Sequence, residues 1–239
     1  MTFVDIKCLE SLLIEGNELT IANESINEKL MNIGKKIINV VKSAIKVIIS
    51  FISKIINVIS SKAKNTKASV DAKLQGYTKI NSGDLYAVID VASSFMNTTQ
   101  SYITHIFITQ QKVDITYLAN IGSKLRECEN KVVNKTKIVE QKYKNKKCMI
   151  DANDADKLLK SFFELKEKFQ NAYNKLSNIE TAYRTLAYND QHNANLYQNM
   201  IDDMNFIISK IQTMIGTFKI CSEIIINSEY SYGKDTIIE

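Results

Sequence analysis

Residues 25–62 read SINEKLMNIGKKIINVVKSAIKVIISFISKIINVISSK, and the fold follows from this stretch. Ile26, Leu30, Ile33, Ile37, Val41, Ala44, Ile45, Ile48, Ile52, Ile55 and Ile59 recur every three or four residues, the period of one helix face. Asn32, Lys36, Asn39, Lys42, Lys46, Ser50, Ser53, Asn57 and Ser60 repeat on the other side. Ile38, Val40, Val47, Ile49, Phe51, Ile56 and Val58 widen the apolar face, so protein or lipid must cover most of it. The start is signalled as clearly as the body. Ser25 and Glu28 form a capping box, in which each side chain satisfies a backbone N–H that the first turn leaves open.

Charge reverses at that start. Residues 1–24 carry Asp5, Glu10, Glu15, Glu18 and Glu24 against Lys7 alone, whereas residues 25–79 carry eleven lysines against Glu28 and Asp71. The net charge of +5 is therefore less informative than its distribution. A second basic segment, residues 124–147, ends in the run Lys142, Lys144, Lys146 and Lys147.

The rest of the 239-residue chain predicts more helix. There is no proline and there are seven glycines, too few for the many turns of a sheet protein. Asn81-Ser82-Gly83-Asp84 is the clearest turn, with Asp84 placed to cap a helix from Leu85 onward. Tyr102–Thr109 is rich in β-branched residues, but its neighbours have helical period and it reads as helix. Apolar periodicity continues from Lys112 to Lys147. Asp151–Asp156 puts acids at the next helix start, where the macrodipole favours them. Another turn falls at Asn189–Asn193, a last helix spans about Leu196–Asn227, and Ser228–Glu239 reads as a polar, frayed tail. The expectation is an all-α chain: an elongated antiparallel bundle of four to five long helices with coiled-coil-like packing. It divides into an acidic leader (1–24), a basic amphipathic helix region (25–80) and a helical bundle (81–239).

Chemistry-bearing patterns are few. Cys8, Cys128, Cys148 and Cys221 stand far apart with no metal-ligand spacing, and read as free thiols in a reducing compartment. Asp151–Asp156 misses the calcium-loop pattern at Ala155 and Asp156. His105 and His192 have no nucleophile beside them, and Cys128 sits between Glu127 and Glu129, a setting that does not activate a thiol. No enzyme, cofactor, metal or small-molecule substrate is expected. Tyr173, Tyr183, Tyr188 and Tyr197 read as aromatics at helix seams rather than as platforms for nucleic-acid bases.

Three readings of the basic helix remain: a core helix with a solvated lysine edge, a membrane-surface helix, or a neutraliser of nucleic-acid phosphate. The basic face comprises Lys29, Lys35, Lys36, Lys42, Lys46, Lys54, Lys62, Lys64 and Lys67. The leader lacks the basic start and apolar run of a signal peptide. Lys46 and Lys54 leave only Val47–Ser53 uninterrupted, so no transmembrane helix is expected.

Ala22-Asn23-Glu24 followed by Ser25 carries a resemblance. The arrangement resembles the internal head proteins of large tailed bacteriophages, whose short N-terminal leader is removed by a head-maturation protease after glutamate. The resemblance covers the first quarter of the chain, where the A-x-E motif, the charge reversal and the capping box fall at one junction. It implies a virion protein packaged with capsid or other virion proteins, inside the virion or later in the host cytoplasm, whose body contacts DNA or host components. It also implies that losing residues 1–24 moves the net charge from +5 to +9. Two other classes stay open: a membrane-binding or pore-forming helical protein acting through residues 25–62, and a helical scaffold that self-associates.

Overall fold

The computed structural model describes residues 26–65, 76–108, 115–189 and 194–231. Five helices account for most of them: α1 (Ile26–Asn65), α2 (Ser82–Ile108), α3 (Ile115–Tyr143), α4 (Ala152–Asn189) and α5 (Ala194–Ile226). The prediction of a mainly helical chain holds, including the helical reading of Tyr102–Ile108. The leader, Ser25 and the turn at 190–193 lie outside the described residues.

The helices pack through alternating three- and four-residue steps. In α1 the fully covered side chains are Ile38, Val41, Ile45, Ile48, Ile52, Ile55 and Ile59. In α4 the buried stripe is Ala155, Leu158, Phe162, Leu165, Phe169, Ala172 and Leu176. That spacing puts one stripe per helix into a shared interior. The main interfaces run α1 to α4, α4 to α2, α2 to α3, α3 to α5 and α5 back to α1, a closed circuit in which α4 lies between α1 and α2. One cluster of buried side chains extends from Ile38 to Tyr230, with Phe169 edge-on to Phe218 at 5.9 Å. The lysine-edged helix is thus built into the common core.

A small sheet was not expected. Thr78–Lys79 (β1), Cys148–Asp151 (β2) and Glu229–Ser231 (β3) form three parallel strands in the order β1-β2-β3. This corrects the purely helical reading, and it corrects the frayed tail at its first residues: Ile150 pairs with Tyr230 and Asp151 with Ser231. Parallel strands need a return connection. Here each return is a pair of long helices, α2 with α3 and α4 with α5, that leaves the sheet and comes back to it. Ile80, Ile150 and Tyr230 bury their side chains in the same cluster as the helices.

The two strand-to-helix junctions are alike. The Asn81 side-chain oxygen accepts the Gly83 N–H at 3.0 Å, and the Asp151 side-chain oxygen accepts the Asn153 N–H at 3.0 Å. Both are side-chain caps, and Asn81 takes the place predicted for Asp84. Beyond them, buried positions match 70 residues apart: Leu85 with Ala155, Val88 with Leu158, Ala92 with Phe162, Phe95 with Leu165, and Thr99 with Phe169. Strand, cap and first helix therefore form a structural repeat.

A polar seam joins α3 to α5. The Thr136 hydroxyl donates to the Thr217 hydroxyl oxygen at 3.1 Å in the interior. One helical turn earlier in α5, Thr213 donates to Glu129 at 3.0 Å, and Lys210 pairs with the same carboxylate at 2.6 Å. Polar groups that must meet across an apolar interface set its register.

Candidate polyanion-binding surfaces

The described lysines of the basic face expected on α1 are partly engaged. Lys35, Lys36, Lys46 and Lys54 are exposed, and Lys42 and Lys62 are half-buried. Lys42 and Lys46 place their ammonium groups 5.4 and 5.2 Å from the centre of the Tyr173 ring on α4. Such contacts attract the cation to the electron-rich ring face. Tyr173 is thereby a seam residue, as expected. Lys54 lies 5.6 Å from the Phe51 ring. Lys62 serves the fold itself. Its ammonium donates to the carbonyls of Ile226, at 3.0 Å, and Ser228, closing the C-terminus of α5. Lys29 and Lys64 lie on α1; Lys67 and the junction Ala22, Glu24 and Ser25 lie outside the described residues.

The second basic run sits at the sheet end, where carboxylates meet it. Lys142 pairs with Asp84 at 2.9 Å, joining the last turn of α3 to the first turn of α2. Tyr143 donates to the same carboxylate at 2.7 Å, and its oxygen accepts the Asn81 N–H at 3.0 Å. Lys144 pairs with Glu140, and neighbouring Lys79 pairs with Asp151 at 3.0 Å. Lys147 gives its carbonyl to Thr78 and lies 6.0 Å from the Tyr77 ring. Lys146 is exposed. Asn145 adopts a left-handed φ of 62° to end α3, a conformation asparagine tolerates. This run is a joint of the fold more than an open cationic patch.

The electrostatics of the joint match its geometry. Partial burial pushes the Asp84 carboxyl up, but the Tyr143 hydroxyl and the Lys142 ammonium outweigh it, and the result lies below the ordinary 3.8. Burial, helped by the Asp84 carboxylate, pushes Tyr143 up to about 12. For Asp151, burial again opposes the hydrogen bonds from Lys79 and the Asn153 N–H, and the net direction is down.

A third basic surface escaped the sequence reading. Between α2 and α4 runs a groove of about 320 Å³ lined by Gln100, Lys168, Asn171, Asn174 and Lys175. Its described lining holds two ammonium groups, three amides and no carboxylate. Lys168 also reaches Ser93 on α2. The available signal was the spacing of acids rather than of lysines. No Asp or Glu occurs between Glu28 and Asp71, between Asp90 and Asp114, or between Glu167 and Glu180.

Other candidate chemistry is dispersed. Cys128, Cys148 and Cys221 are free thiols; burial pushes Cys221 up to about 12 and Cys148 in the same direction. Among the described residues no three metal-ligating side chains converge. Ile38–Lys62, 25 residues, is long and apolar enough to cross a membrane by length and composition, although Lys46 and Lys54 interrupt it. No family model, curated protein or solved structure matches the chain.

Proposed function

We propose that this is a non-enzymatic virion protein of a tailed bacteriophage, packaged in the head through its acidic leader, whose basic helical body contacts DNA. The body is read as an elongated antiparallel bundle with coiled-coil-like seams, which the three-four spacing of buried residues in α1 and α4 supports. One observation carries the functional reading: the charge reversal, the A-x-E motif and the start of α1 at Ile26 coincide within a few residues. Cleavage after Glu24 would leave Ser25 to cap α1 and would raise the net charge to +9. A more cationic body is a better counterion for packaged DNA. Incubation with the cognate head-maturation protease, followed by intact-mass measurement, is expected to yield a product beginning at Ser25. An unchanged mass would remove the packaging route.

A second reading is favoured by the apolar length of α1. Ile38–Lys62 is a helix of membrane-crossing length with one face built into a helical core, as a stored insertion segment would be. Vesicle flotation separates the two readings.

A further inference from the structure

We propose that the face formed by α1, α4 and α2 around Tyr173 is a binding surface for the phosphate backbone of duplex DNA. This deepens the DNA reading above and rests on it for the partner.

Helix adjacency creates the face. α4 lies between α1 and α2, and its acid-free stretch meets theirs, through Tyr173 beside Lys42 and Lys46 of α1 and through Lys168 beside Ser93 of α2. Lys46 and Lys42 approach Tyr173 from α1, while Lys168 and Lys175 line the groove on the α2 side of α4. Glu164 and Glu167, in the neighbouring groove that shares Asn171, border the face. Cations without interspersed carboxylates build a positive potential that the paired lysines at the sheet end do not. Lys142, Lys144 and Lys79 each meet a carboxylate.

Duplex backbone is the partner the side chains fit. Amide and ammonium groups donate to phosphate oxygens, and every residue of the described groove lining carries one or the other. Single strands are held largely by bases stacked on aromatic rings. The described lining has no ring, and the nearby Tyr173 ring already meets two ammonium groups. Sequence-independent binding with strong salt dependence is expected.

The test uses the full chain and a fluorescent duplex of about 20 base pairs, with affinity followed by anisotropy across salt concentration. One variant carries Lys46→Gln, Lys168→Gln and Lys175→Gln; a control carries Lys144→Gln, Lys146→Gln and Lys147→Gln. Each lost phosphate contact should reduce the slope of log affinity against log salt by about 0.9, so the first variant should lose roughly 3 and the control close to none. Lys175→Glu alone, at an exposed position, should weaken binding in the same direction and guards against misfolding of the triple variant. Wild-type binding that survives the first variant and fails in the control would overturn the face while leaving the DNA reading intact. Absence of duplex binding by the wild-type chain would overturn both, and vesicle binding lost in the first variant would reassign the face to anionic lipid.

Discussion

Asp84 shows how one carboxylate can tie down an end of the molecule. It receives Tyr143 at 2.7 Å and Lys142 at 2.9 Å, so the first turn of α2 is fastened to the last turn of α3. Because its folded pKa lies below the ordinary 3.8, the stabilisation is present above that value and is lost as pH falls through the folded one. Tyr143 has the opposite sign: its pKa is raised, so its contribution is intact below 10 and drains away between 10 and about 12. Urea midpoints measured against pH should therefore be flat through the neutral range and fall at both extremes. Asp84→Asn should cost about 1–3 kcal/mol at neutral pH and blunt the acid limb. An unchanged acid limb would show that Asp84 does not govern it. None of this was legible beforehand. Asp84 reads locally as a cap, and only the return of α3 brings Tyr143 to it.

Among the elements, the helices were legible and the strands were not. The stripe of α1 is readable because Val41, Ile45, Ile48, Ile52, Ile55 and Ile59 keep their step without a break. β1 has two residues and β2 four, too short for an alternating pattern to emerge. β2 also lies between a lysine run and an acid run, which reads as loop. The repeat was hidden for another reason: equivalent positions differ in type, as Thr99 and Phe169 do. The α3–α5 seam makes a testable case of tertiary pairing. Lys210 and Glu129 are 17% and 19% exposed, so removing one partner strands the other in a mostly covered site. Lys210→Met should cost about 1–3 kcal/mol by chemical denaturation, below the range of a fully buried pair. Adding Glu129→Gln should recover part of the loss; strictly additive losses would mean the two do not cooperate.

At the scale of the whole molecule, the question is whether α1 can leave. Ten of its apolar side chains, from Ile38 to Ile59, are buried in the common core. Exposing each isoleucine or valine among them would cost about 1.5–3 kcal/mol. Their sum equals or exceeds the roughly 5–15 kcal/mol that holds an entire domain together. Release of α1 would thus unfold the protein unless a bilayer took up the helix at once. The full chain at neutral pH and moderate salt should remain at the bottom of a flotation gradient with anionic vesicles. Flotation under those conditions would favour the membrane reading over the packaging one. The candidate DNA face belongs to this scale too. Lys46, Lys168 and Lys175 are scattered in the sequence, and only the order in which the helices neighbour one another gathers them.

Successive strands lie parallel because every excursion from the sheet goes out on one helix and home on the next. Adding equal whole turns to the outbound and homebound members would lengthen both helices while the strands, their caps and the Asp84 joint kept their places. Such a plan lets a lineage alter reach and surface charge along one axis without inventing a new topology.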